Sequence, residues 1–173
     1  GIWQTWNWAQ VLDIVRAYAV GLQRLGLKQN DTIAIVGSNR PKMYWTMMAA
    51  QMVRAIPVPV YSDAVADELS YVLGHADVNF VAAQDQEQVD KVLSVLERLP
   101  HLQTIVYDEA RGLRDYDHSR LMKIEDVIAD GRAALAGDGS LAAKVDELID
   151  SGEGSDTSII LYTSGTTGAS KGV

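Results

Sequence analysis

The chain has 173 residues, 47% of them hydrophobic and 22% charged, enough for one domain with a sizeable core and too apolar for wholesale disorder. Lys and Arg total 15 against 23 Asp and Glu, and the net charge of -8 argues against a nucleic-acid or anionic-membrane partner, while one nucleotide held by local donors is still allowed. There is no cysteine, which excludes disulfides, thiolate metal sites and cysteine nucleophiles.

Residues 7 to 25 read as a helix, with Asn7 as cap and Gln10 three residues on, as in a capping box. Trp8, Val11, Leu12, Val15, Ala19, Leu22 and Leu25 fall on one face, and Gly26 is a natural stop. Thr32 to Val36 is a β-branched apolar run, the pattern of a buried strand. A turn follows at Gly37-Ser38-Asn39, and Pro41 opens a helix that continues from Met43 to Arg54. Ile56 to Val60 is a strand candidate whose two prolines point to an edge or an irregular strand. The alternation then repeats: a helix from Ala64 to His75 capped by Asp63, a strand from Asn79 to Ala83, a helix from Asp85 to Leu99 stopped by Pro100, and a strand from Gln103 to Tyr107. Residues 108 to 120 read as a loop. Lys123 to Asp130 and Leu141 to Asp150 read as helices around a Gly-rich linker at 137 to 139. Ser158 to Tyr162 reads as the last strand. Short connections between strands and helices imply right-handed crossovers and an α/β fold, a mainly parallel sheet with helices on both faces. No domain boundary is evident, and residues 131 to 156, rich in Gly, Asp and Ala, are the weakest-packed stretch. The most apolar stretch, 43 to 61, contains Arg54, Pro57 and Pro59 and is too interrupted to span a bilayer; no signal peptide is visible.

The last strand leads into Tyr162-Thr163-Ser164-Gly165-Thr166-Thr167-Gly168-Ala169-Ser170-Lys171-Gly172. Glycines let the backbone approach a ligand closely, consecutive N–H groups form a nest for phosphate oxygens, and hydroxyls add neutral donors that can also touch a metal ion. Lys171 adds a point charge suited to a polyphosphate. The P-loop of NTPases does not fit. Counted from Gly165, its second glycine would fall on Ser170, and the residue after Lys171 is Gly172 rather than Ser or Thr. A flexible Ser/Thr/Gly linker is the bland alternative, disfavoured by the strongly β-prone run before it.

Y-T-S-G-T-T-G-A-S-K-G-V resembles the signature phosphate loop of the adenylate-forming superfamily, departing from it at Ser170, where the family usually has proline. W-N-W-A-Q-V-L, G-L-Q-R-L-G-L-K-Q-N-D-T-I-A-I-V-G-S-N-R-P, A-I-P-V-P-V-Y and L-P-H-L-Q-T-I-V-Y-D resemble, in order and spacing, the opening of the long-chain fatty acyl-CoA ligases. The resemblance implies the first part of the large N-terminal domain of an ATP-dependent ligase. Such an enzyme activates a carboxylic acid as acyl-adenylate and passes the acyl group to coenzyme A, with Mg2+ neutralising the polyphosphate. It further implies that Thr163, Ser164, Gly165, Thr166, Thr167, Gly168 and Lys171 embrace the β- and γ-phosphates. The family's adenine, metal, ribose and catalytic-lysine residues would lie beyond Val173. Residues 1–173 are therefore expected to be a single α/β subdomain of a longer protein, truncated within the loop at 162–172 and inactive alone. The expected partners are fatty acid, ATP and coenzyme A. The expected setting is cytoplasmic, with peripheral membrane contact in the complete protein. Association into a homo-oligomer is expected through the Ser158 to Tyr162 edge. A stand-alone α/β nucleotide-binding or interaction module without catalysis is the alternative.

The remaining polar and aromatic residues read more plainly. His75, His101 and His118 each stand alone, with no metal-ligand spacing, as surface or capping residues. Glu125-Asp126 and Asp146-Glu147 read as solvated helix faces. Trp3, Trp6 and Trp8 read as packing for the first helix, with an aromatic patch for lipid entry as the rival. Met43, Met47, Met48 and Met52 read as core filling.

Overall fold

The computed structural model describes residues 2–163 and 170–173. Helix α1 spans Trp8–Arg24. At its start Asn7 N–H donates to Gln10 Oε1 and Gln10 N–H donates to Asn7 Oδ1, both at 2.9 Å, the reciprocal capping read from the sequence. Strand β1 (Thr32–Val36) is buried along its whole length. It is followed by α2 (Pro41–Met52), β2 (Ile56–Val60), α3 (Ala66–His75), β3 (Phe80–Ala83), α4 (Gln86–Ser94) and β4 (Thr104–Tyr107). Then come β5 (Leu121–Lys123), α5 (Ile124–Gly137), α6 (Ser140–Asp150) and two short strands, β6 (Tyr162–Thr163) and β7 (Lys171–Gly172).

Strands β2-β1-β3-β4-β5 form one sheet in that order, and all four pairings are parallel. Alternate strand residues feed two cores. Ile33, Ile35, Phe80, Ala82 and Val106 face α1, α2 and α5. Ala34, Val58, Val81, Ala83 and Ile105 face α3 and α4. Each fully buried Leu, Ile or Phe contributes about 1.5–3 kcal/mol, so the two faces together hold the sheet. The mainly parallel sheet with helices on both faces is thus present.

Four local readings need correction. Asp63 does not cap α3, whose cap position is Val65; there the Glu68 carboxylate accepts the Val65 N–H at 3.4 Å. The helix expected to reach Leu99 ends as α-helix at Ser94 and finishes as a 3-10 turn over Leu96–Arg98. Residues 121–123, between the loop at 108–120 and the helix expected from Lys123, form β5, a strand too short to show an alternating pattern, and α5 runs past Asp130 to Gly137, the first residue of the expected linker. Ser158 to Tyr162 is not a strand of the main sheet. Ile160 N–H donates to Pro57 O at 3.1 Å, while the Ile56 amide points the other way, to Asp31 O. Pro57 and Pro59 therefore turn their donor-less nitrogens to the open edge, and a full ladder cannot form there. Of the two readings of the prolines, an edge or an irregular strand, β2 takes the edge.

The stretch leading to this edge is tied from outside. Arg54, with φ at 59°, donates to Ser151 Oγ (3.0 Å) and Asp156 Oδ2 (2.5 Å), and Gln51 Nε2 donates to Ser158 O (3.0 Å). In α6 only Val145 is buried, so the weak packing read for 131–156 holds over α6 but not at Gly131, which is buried in α5. Among the tryptophans, Trp6 packs edge to face on Trp45 with centroids 5.3 Å apart, whereas Trp3 and Trp8 are 93% and 84% exposed. Met43 is buried, and Met47, Met48 and Met52 pack against the same core.

Candidate functional site

The chain leaves β1 outward to β2, then returns past β1 to β3, so connections diverge between β1 and β3. Ligands of open parallel sheets bind beyond the carboxyl ends of the strands at such a point. Here the turn Gly37-Ser38-Asn39 after β1 meets Gln84 after β3. Ser38 N–H donates to Gln84 Oε1 at 2.6 Å, and a Cβ on Gly37 would lie 2.7 Å from Gln84 Cβ. The glycine is what lets the buried Gln84 side chain lock the turn. Beside it opens a cavity of about 610 Å3, whose lining includes Gly37, Met43, Met47, Val60, Tyr162 and Thr163. On the other side of Tyr162 a second cavity of about 380 Å3 is lined by residues that include Tyr61, Asp63, Glu68, Val72 and Ser170.

Between the cavities stands the hairpin that carries the glycine-rich loop. Thr163 pairs with Lys171 and Tyr162 with Gly172 in an antiparallel ladder. Leu161 and Val173 exchange N–H···O bonds of 2.9 Å in each direction. Of the predicted phosphate residues, Thr163 and Lys171 face each other at the mouth of the loop, both exposed. Ser164, Gly165, Thr166, Thr167 and Gly168 lie outside the described residues. Among the described residues no group of three or more His, Cys, Asp or Glu is placed to hold a metal ion.

Two features escaped the sequence reading. His75, read as solitary, has Nδ1 2.6 Å from the Tyr162 hydroxyl. Burial, and then the neighbouring Tyr71, push the Tyr162 phenol upward. The second lies apart from that contact, an ionic cluster joining α2 to α5 and to the segment after β4. Lys42 Nζ donates to Asp108 Oδ1 at 2.6 Å and to Glu125, and Arg40 donates to Glu109 at 2.8 Å. Glu125, read as part of a solvated face, thereby joins α2 to α5; Asp146 likewise bonds Arg16. His101 bonds Asp77, and His118 packs near Tyr107.

The sequence model of the AMP-binding enzyme family matches residues 1–173. The chain belongs to the AMP-binding enzyme family. It is 26% identical over 171 residues to a long-chain-fatty-acid–CoA ligase of Homo sapiens, covering 99% of this chain and 22% of that protein. It is 27% identical over 175 residues to one of Xenopus laevis, again covering 99% and 22%. The chain therefore spans less than a quarter of the length of these relatives. The fold superposes on a long-chain-fatty-acid–CoA ligase of Archaeoglobus fulgidus with a TM-score of 0.71 at 18% identity, covering 99% of this chain and 30% of that one. No helix among the described residues is long and apolar enough to cross a membrane.

Proposed function

We propose that residues 1–173 form a single α/β subdomain, the opening of the large domain of an ATP-dependent long-chain fatty acyl-CoA ligase, with the 162–172 loop holding ATP. A fatty-acid carboxylate oxygen attacks the α-phosphorus and pyrophosphate leaves; the coenzyme A thiol then attacks the acyl carbon and AMP leaves. This chain's part is positional and electrostatic. Thr163, Ser164, Gly165, Thr166, Thr167 and Gly168 supply backbone and hydroxyl donors to the β- and γ-phosphates, and Lys171 supplies charge. Magnesium, brought with the nucleotide, adds charge neutralisation. The reading is carried by one observation: a Y-T-S-G-T-T-G-A-S-K-G loop set on a hairpin beside the carboxyl ends of β1 and β2, in a chain matched throughout by the family model. Coenzyme A as thiol acceptor, magnesium, and a cytoplasmic, peripherally membrane-associated setting are part of the same proposal.

The test is exchange of labelled pyrophosphate into ATP. Exchange that requires a long-chain fatty acid is expected of the full-length protein and absent from residues 1–173 alone. Exchange without acid, or turnover by the 173-residue chain, would overturn the proposal.

A further inference from the structure

The hairpin bearing the loop has little of its own to stand on. Each strand is two residues long, and an isolated two-stranded hairpin is marginal in water even when longer. Among the described residues its one backbone tie to the main sheet is the Ile160–Pro57 bond, because the proline edge of β2 offers no donors.

Side chains of α3 reach it instead. Tyr71 and His75 are one helical turn apart, with rings stacked at 5.5 Å and 27°. The Tyr71 hydroxyl donates to Ser170 O at 3.0 Å, just before β7. His75 Nδ1 meets the Tyr162 hydroxyl on β6 at 2.6 Å, and the two rings form a T at 5.7 Å and 87°. On its other side the Tyr162 ring rests on Gly172, where an added Cβ would lie 3.2 Å from Tyr162 Cζ. One face of one helix thus touches both stems of the loop, and Tyr162 is wedged between α3 and β7.

We propose that Tyr71 and His75 are positioning residues that clamp the two ends of the phosphate loop, through Ser170 and Tyr162, and so set where Thr163 and Lys171 meet ATP. The inference rests on the reading that this loop holds the ATP phosphates. The upward push on the Tyr162 phenol supports it: the phenol keeps its proton and remains a hydrogen-bonding group. The clamp acts on nucleotide and leaves the fatty-acid site alone, which separates it from general packing.

The experiment uses the full-length protein and measures KM for ATP and for fatty acid, kcat, and melting temperature. His75→Ala and Tyr71→Phe each remove one hydrogen bond and should raise KM for ATP about three- to tenfold, with KM for fatty acid within about twofold of wild type. His75→Asn, whose amide falls near the Nδ1 position, should restore most of the loss, whereas His75→Gln, whose amide falls near Nε2, should not. Unchanged ATP KM in both variants, equal rises for both substrates, or equal rescue by Asn and Gln would overturn the clamp. Lack of acid-dependent exchange in the wild type would instead remove the ligase reading. The clamp is then decided by hydrogen exchange at the Leu161 and Val173 amides. These should exchange faster in His75→Ala, and unaltered exchange would rule the clamp out.

Discussion

Gly131 of α5 lies directly on the backbone of Ala17 in α1: a Cβ placed on it would sit 1.8 Å from the Ala17 carbonyl oxygen and 2.7 Å from Gly21 N. The contact is reciprocal, since a Cβ on Gly21 would meet the Val127 carbonyl oxygen at 2.2 Å. The two helices touch through backbone because two side chains are missing.

Gly131→Ala should therefore destabilise. Alanine favours a helix interior over glycine by about 1 kcal/mol, but overpacking against atoms that cannot rotate away costs roughly 1–3 kcal/mol or more. Packing should win, with a net loss of about 1–3 kcal/mol, read as a lower urea midpoint at unchanged slope. An unchanged or higher midpoint would show that α5 can slide on α1.

Lys42→Met should destabilise in a pH-dependent way. Burial pushes the Glu125 carboxyl up, but the Lys42 hydrogen bond and charge outweigh it and hold the group below its ordinary 4.5. A depressed carboxyl stabilises fully above 4.5, and the contribution is lost as pH falls through the lower folded value. Burial pulls Lys42 down, but Asp108 and Glu125 outweigh it and raise it above 10.5, so its contribution is full below 10.5 and lost as pH rises through the folded value. Breaking a fully buried pair costs about 3–5 kcal/mol. With the Lys42 and Glu125 side chains 23% and 41% exposed, solvent screening reduces this to about 1–2 kcal/mol. The wild-type advantage should hold at neutral pH and shrink below 4.5; thermal melts of both proteins at several pH values check it.

In the full-length protein, Lys171→Ala and Thr167→Ala should slow acid-dependent pyrophosphate exchange. Charge-assisted contacts to phosphate are each worth roughly 1.5–3 kcal/mol, or about ten- to a hundredfold. Wild-type rates and ATP affinity in both would remove the loop from the mechanism.

Ser170→Pro should be tolerated. The Tyr71 hydroxyl bonds the carbonyl of Ser170, which proline keeps. Stability should change by under about 1 kcal/mol and can rise through a stiffer unfolded chain. Calorimetry with and without ATP reads both quantities; a joint collapse of melting temperature and ATP affinity would mean that the N–H at 170 is needed.

The legibility of the sequence tracks the range of the interactions. β1 and β2 were readable to the residue because runs such as T-I-A-I-V and I-P-V-P-V announce burial and edge locally. The start of α1 was readable because a capping box spans four residues. β5 was not, since only Leu121 of its three residues is buried. At the site, the loop was found by its glycines and hydroxyls, but its supports were missed. His75 meets Tyr162 across 87 positions; away from the loop, Glu125 meets Lys42 across 83 and was missed for the same reason. The one local hint was an aromatic pair, Tyr71 and His75, at helical spacing.

The donor-poor edge of β2 also bears on how the protein is made. Val60 leaves the ribosome long before Ile160, and at roughly 5–20 residues per second the edge waits on the order of ten seconds for its cover. A conventional strand edge exposed for that time could recruit another nascent chain by adding a strand. Pro57 and Pro59 offer such a visitor acceptors without matching donors, so intermolecular pairing lacks half of its hydrogen bonds. The same two rings that deny the last segment a full ladder in the finished protein thus keep β2 solitary during synthesis.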